Sequence, residues 1–193
     1  MTDYKKILKT KCVGIAGCGG LGSNCAVSLA RVGIGKLIIA DYDVIVESNL
    51  NRQYFFYDQI GQKKAYALRE NINKINPSVV VKAYDIKLNS NDIARLYKNC
   101  DVIVEAFDLA EMKQMIIETV LAEMPDKYVV SGVGLAGWGG NNLFTTKQFG
   151  KLFICGDSQN EVSEELPPLS PRVCIVANME ANQVMEILLN NCG

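Results

Sequence analysis

The chain has 193 residues, 49% of them hydrophobic and 21% charged, with a formal net charge of −1. That balance describes a globular chain long enough for one core, excludes fibrous and disordered classes, and gives no reason to expect a nucleic-acid or membrane surface. Histidine is absent, which excludes Ser-His-Asp and Cys-His nucleophile systems and removes the ligands on which zinc hydrolases mainly rely.

Residues 1–11 are polar and lysine-rich, and no apolar run approaches the roughly 20 residues needed to span a bilayer. The expected address is the cytoplasm. The seven cysteines are Cys12, Cys18, Cys25, Cys100, Cys155, Cys174 and Cys192. Their number is odd and no Cys-x-x-Cys pair exists, so a structural zinc site is not expected. Most sit in apolar runs and read as small buried hydrophobes in a reducing compartment.

In chain order, residues 12–16 read as a buried strand, 21–32 as a helix with Leu21, Cys25, Leu29 and Val32 on one face, and 37–40 as a second strand ending at Asp41. Gly33 and Gly35 stop the helix. Residues 42–57 form a polar and then aromatic loop, and a helix over 61–75 ends before Pro77. Strands follow at 79–83, 101–106 and 128–131. They alternate with a short helix over 91–97, capped by Asn89 or Ser90, and a longer one over 110–124 that Pro125 ends. This alternation is the mark of parallel crossovers.

Residues 132–140 then hold five glycines and Trp138. Residues 142–146 and 151–154 read as an antiparallel pair joined by a tight turn, and 156–171, with Glu161, Glu164, Glu165, Pro167 and Pro168, as a mobile surface loop. A final helix over 173–189 is expected to pack on the sheet. The fold class is therefore α/β: a Rossmann-like, mostly parallel sheet with helices on both faces and a few antiparallel strands in the C-terminal third. It is expected as one domain over 1–193.

Gly17, Gly19 and Gly22 match Gly-x-Gly-x-x-Gly between the first strand and the first long helix. The first glycine serves a tight turn, the second lets the backbone approach a phosphate, and the third lets the helix lie close to the strand. The helix amino end offers free N–H groups and partial positive charge. Asp41, at the end of the next strand, is placed to accept from ribose hydroxyls. A nicotinamide dehydrogenase would share these features. It would not need the polar run that follows, in which Asp43, Ser48, Asn49, Asn51, Arg52 and Gln53 gather in one loop. Arg52 there can neutralise a polyphosphate and stabilise charge developing during transfer.

Three stretches together resemble the ThiF/MoeB/HesA family, relatives of the ubiquitin-activating enzymes. They are Gly17-x-Gly-Gly-Leu-Gly22, then Asp41-x-Asp43 leading to Ser48-Asn49-Leu50-Asn51-Arg52-Gln53, and Gly61-x-Lys63-Lys64-Ala65. The resemblance implies binding of ATP and Mg²⁺ and adenylation of the C-terminal Gly-Gly carboxylate of a ubiquitin-like protein, with release of pyrophosphate. Such a carboxylate needs no deprotonation at neutral pH, in keeping with a chain that has no histidine. By the same resemblance Gly20 lines the phosphate site and Asp41 binds ribose. Asp43, Ser48, Asn49 and Arg52 form the nucleotide-contacting run, Lys64 reaches the phosphates, and Asp108 lies near magnesium. Asp108 would otherwise cap the helix that starts near Ala110.

The chain departs from the family in several places. Leu109 stands where relatives carry Asn after the second acid of Asp-x-x-Asp-Asn, and Glu105 replaces the first. No arginine precedes the first strand, and zinc-binding cysteine pairs are missing. Cys155, beside Gly156 and Asp157, reads as an exposed loop thiol. Cys174 stands at the start of the last helix, either packed or catalytic. The tract Gly132-x-Gly-x-Ala-Gly137, Cys155-Gly156-Asp157 and Pro171-Arg172-Val173 resembles a compact ThiF subgroup. That resemblance implies the sulfur carrier ThiS as partner and thiamine thiazole synthesis as the setting; the wider family resemblance implies a homodimer, with the sheet's later strands and Trp138 near its contact. A molybdopterin-type carrier, a tRNA base carboxylate and a nucleotide-holding module without turnover remain alternatives.

Overall fold

The computed structural model describes residues 3–160 and 162–190; Met1, Glu161 and Cys192 lie outside the described residues. A short helix α1 (Tyr4–Lys9) leads into β1 (Cys12–Ala16), every residue of which is buried. Helix α2 (Gly20–Val32) follows and ends at Gly33, whose φ of 88° supplies the left-handed stop an L side chain resists. Then come β2 (Lys36–Asp41), α3 (Lys64–Ile75), β3 (Val80–Asp85), α4 (Ser90–Tyr97), β4 (Val102–Glu105), α5 (Ala110–Glu123) and β5 (Tyr128–Val133). The chain closes with β6 (Thr145–Phe149), β7 (Leu152–Gly156) and α6 (Ser170–Asn190).

The strands form one sheet in the order β3-β2-β1-β4-β5-β7-β6, parallel except for the β6–β7 pair. Side-chain alternation divides it between two cores. Val13 and Ile15 face α2, α3 and α6, packing with Leu29, Leu68, Val176 and Val184. Cys12 and Ala16 face α4 and α5, packing with Ile93, Tyr97, Ile116 and Val120. Full burial of each such leucine or isoleucine contributes about 1.5–3 kcal/mol. Gly14 is needed beneath Tyr97: a Cβ there would stand 2.5 Å from the ring, while the Tyr97 hydroxyl donates to the Ile15 carbonyl at 3.0 Å. No described helix is long and apolar enough to cross a membrane.

The α/β class, the sheet and both helical faces agree with the sequence reading, as does the Asn89 cap, whose side chain accepts from the Asp92 N–H. Three expectations are corrected. The helix read as starting at 61 begins at Lys64, because residues 57–59 form a separate short 3₁₀ turn and the Lys63 backbone is extended. The strand read at 142–146 lies at Thr145–Phe149, since residues 141–143 turn as a 3₁₀ segment. The stretch 156–171 is not wholly a surface loop. Asp157 is buried and ion-paired to Arg172 at 2.6 Å, Ala136 bridges Pro168, and α6 already begins at Ser170.

Candidate nucleotide site

The sheet order fixes where a ligand can sit. From β1 the chain moves outward through β2 and β3, then returns to the other side of β1 as β4. The carboxyl ends of β1 and β4 therefore diverge, opening the crevice that nucleotide-binding α/β sheets use.

Gly17 ends β1 with φ 97° and donates to the Ala40 carbonyl at 2.9 Å. Its bare Cα lies against the β4–α5 turn, where a Cβ would meet the Ala106 oxygen at 2.7 Å. Gly19 occupies the N-cap of α2 and offers no side chain to its amides. The first amide satisfied inside the helix is that of Ser23, bonded to the Gly19 carbonyl. Among the described residues the N–H groups of Gly20, Leu21 and Gly22 have no hydrogen-bond partner, which leaves them for an anion. Gly22 packs so closely on the turn that a Cβ would stand 1.9 Å from the Gly17 oxygen.

Asp41 ends β2 beside this turn. One carboxylate oxygen accepts from the Cys18 N–H at 2.6 Å and the other from the Asp43 N–H at 2.8 Å. Burial raises its pKa, and the two amides and the Lys64 charge only partly oppose that. Asp43 forms an ion pair with Lys64 at 2.8 Å. Lys64 is buried, so it is not a solvated surface lysine like its neighbour Lys63.

Residues 47–53 fold back over the amino end of α2. Asn49 is buried and accepts from the Val46 N–H, closing a 3₁₀ turn; the Ser48 side chain is exposed. The Arg52 guanidinium donates to the Ser48 carbonyl at 3.1 Å and to Asn51 at 2.8 Å. Asn24, which the sequence reading passed over, fixes this loop: its amide donates to the Gly20 carbonyl at 2.7 Å and to the Arg52 carbonyl at 2.9 Å. The signal available was its place one turn after Gly20 in α2. Gln53 is buried, its Oε1 has no partner among the described residues, and its amide nitrogen would lie 3.7 Å from a Cβ at Gly19. It is a polar group facing the cradle with bonding capacity to spare.

Asp108 is exposed on the β4–α5 turn and makes no hydrogen bond or ion pair among the described residues. It does not cap α5, because Leu109 holds that place without a side-chain bond. No group of three metal-ligating side chains exists among the described residues. A magnesium ion here would take one free carboxylate and complete its shell with phosphate oxygens and water, the coordination magnesium favours.

The remaining wall comes from the end of the chain. Val173 of α6 leans on Gly20, whose Cβ would meet it at 2.9 Å. Arg172, equally buried, holds Asp157 and donates to the Gly139 carbonyl at 2.6 Å, fastening the glycine tract to α6. Burial alone would raise the Asp157 pKa, but bonds from Asn160, the Gln159 N–H and Arg172 outweigh it and hold the carboxyl below its ordinary range. Cys155 is not an exposed thiol: on β7 it joins the core with Val130, Val176 and Ala177, and burial pushes its pKa up to about 11. Cys174 is half-buried, 3.5 Å from the Ser170 hydroxyl.

A model of the ThiF family matches residues 1–192. The chain belongs to the ThiF family. Among curated ThiF relatives, the adenylyltransferase and sulfurtransferase MOCS3 of Caenorhabditis briggsae is 32% identical over 95% of this chain and 47% of its own length. Ubiquitin-like modifier-activating enzyme 5 of Mus musculus is 32% identical over 69% of this chain and 36% of its own length. The chain thus spans about half or less of these relatives. Among solved structures, Escherichia coli TcdA, a tRNA N6-threonylcarbamoyladenosine dehydratase in complex with AMP, superposes with a TM-score of 0.89 at 18% identity, covering 98% of this chain and 90% of that one. Escherichia coli MccB with ATP gives 0.70 at 26% identity, over 96% of this chain and 57% of that one.

Proposed function

We propose that this ThiF-family chain binds MgATP and adenylates a carboxylate, that of the C-terminal Gly-Gly tail of a ubiquitin-like sulfur carrier of the ThiS type, in cytoplasmic thiamine thiazole synthesis. The observation that carries it is the cradle itself: three open amides at the start of α2, with the Arg52 loop tied to the same turn by Asn24. The names of the relatives, adenylyltransferases and ubiquitin-like modifier-activating enzymes, support the reaction class.

The residues divide the work by position. Asp41 holds the ribose hydroxyls. The amides of Gly20, Leu21 and Gly22 face phosphate oxygens. Arg52 and Lys64 supply positive charge as the carrier's carboxylate oxygen bonds to the α-phosphorus and the bond to the β-phosphate bridge breaks, releasing pyrophosphate. The charged nucleophile needs orientation more than a base. Magnesium held by Asp108 and the phosphates would neutralise the departing charge. Arg52 now spends its guanidinium on its own loop and Lys64 on Asp43, so both must share those bonds when ATP arrives.

Incubation with ThiS, ATP and labelled pyrophosphate tests the reading. Exchange of label into ATP supports it. ATP binding without exchange leaves a nucleotide-holding module, and exchange driven only by a molybdopterin-type carrier or by tRNA would replace ThiS as the substrate. We further propose a homodimer, with Trp138, 72% exposed, near the contact. A monomer in light scattering at micromolar concentration refutes that.

A further inference from the structure

The described residues leave Asp108 with no bond of its own, so its position is set by whatever holds the turn from 106 to 109. The Ala106 N–H is tied to Ala16, and the Leu109 carbonyl accepts the first bonds of α5. Between them one side-chain bond reaches the turn: the Phe107 N–H donates to Glu105 Oε1 at 2.7 Å. Glu105 is fully buried at the end of β4. Its other oxygen accepts from Ser131 at 2.6 Å, and Lys113 Nζ lies 2.9 and 3.2 Å from the two oxygens. Ser131 is its register partner on β5, and Lys113 stands in the first part of α5 and also donates to the Gly132 carbonyl at 3.2 Å. One carboxylate thus grips the turn, the helix after it and the next strand.

We infer that Glu105 is the positioning residue for Asp108: it holds the β4–α5 turn so that the free carboxylate meets a divalent cation on the bound nucleotide. The inference rests on the metal role proposed above for Asp108. Glu105 touches neither metal nor nucleotide. It acts through the Phe107 amide and through Lys113, which fix the two sides of the turn. Buried and fully bonded, it can impose a single geometry on a residue that has no hydrogen bond or ion pair of its own among the described residues.

The test is calorimetric titration with an ATP analogue carrying methylene between the α and β phosphorus, once with Mg²⁺ and once with EDTA. In the parent protein Mg²⁺ should tighten binding. Glu105→Leu removes every acceptor while keeping most of the volume. It should cut that metal-dependent gain about tenfold, as loss of an outer-shell partner does elsewhere, and leave metal-free affinity within about twofold. Glu105→Gln keeps an oxygen for the Phe107 amide and should restore most of the gain. If Glu105→Leu does not fold, Glu105→Ser, too short to reach that amide and with room for water beside Lys113, asks the same question. A Leu or Ser variant that keeps the parent's metal gain overturns the inference and leaves the adenylation reading standing. Equal loss with and without metal also overturns it. A parent that gains nothing from Mg²⁺ overturns the metal role of Asp108, and the inference with it.

Discussion

Replacing Gly22 by alanine places a methyl carbon 1.9 Å from the Gly17 carbonyl oxygen and 3.2 Å from Ala106 Cβ. The nearer obstacle is backbone, so no rotamer change relieves it and the phosphate turn must open. Overpacking of this kind costs about 1–3 kcal/mol, and a fixed backbone partner puts Gly22→Ala at the upper end. At roughly 2–4 °C per kcal/mol for a chain of this size, its melting temperature should fall about 6–12 °C. Gly20→Ala is the informative contrast. Its methyl would stand 2.9 Å from Val173 Cγ1 and 3.7 Å from Arg52 Cγ. Side chains can give by a few tenths of an ångström, so the loss should be about 1 kcal/mol, at the lower end of the overpacking range. The same methyl crowds the face that a phosphate must reach, so ATP affinity should drop about tenfold or more. Scanning calorimetry of both variants, with and without ATP, separates the effects. Gly22→Ala melting within about 2 °C of the parent, or Gly20→Ala binding ATP normally, would refute the geometry argued here.

Four further expectations follow from other parts of the molecule. Arg52→Ala breaks only bonds within its own loop, so it should melt near the parent while pyrophosphate exchange falls about 100-fold or more; exchange within tenfold of the parent would remove Arg52 from the reaction. Asp157→Asn strands the Arg172 charge, whose side chain is 3% exposed, and should cost about 3 kcal/mol in urea unfolding; a loss below about 1 kcal/mol contradicts that. Native protein treated with iodoacetamide at neutral pH should leave Cys155 unmodified on peptide mapping, since it is buried with a pKa near 11. Glu180 is fully buried, both its oxygens lack a partner among the described residues, and burial raises its pKa well above the ordinary range. The folded chain therefore keeps a proton that the unfolded chain releases above about pH 4.3. Stability from this group is present below that pH and is lost as pH rises toward the folded pKa. Glu180→Gln should therefore gain on the parent as pH rises above about 4.3, and parallel stability–pH curves would show that the proton is not held.

Much of this fold was legible because its punctuation is strong. Gly33 and Pro125 stop their helices close to where the sequence places the ends, and the strand at 12–16 is apolar throughout. The strand at Thr145–Phe149 was misplaced for a physical reason: all five residues are exposed on the sheet edge, so burial imposes no alternation to read. Cys155 was misjudged because its neighbours Gly156 and Asp157 look like loop residues, whereas Gly156 ends β7 and Asp157 is consumed by Arg172. At the site, the glycine turn and Asp41 could be read from spacing. The holds of Asn24 on Gly20 and Arg52, and of Glu105 on the turn before Asp108, join residues by side-chain reach that no sequence period encodes.

The contact between Gly20 and Val173 also sets an order of events in the life of the chain. The glycine turn precedes its wall by the whole of the sheet: α6, with Arg172 that anchors that helix to the glycine tract, follows every strand in chain order. A nascent or prematurely ended chain can assemble the first strands and helices yet present an unwalled cradle. The proposed hold on nucleotide is thereby tied to synthesis of α6, and a protease cut within 162–169 would break the chain between the cradle and its wall without touching either.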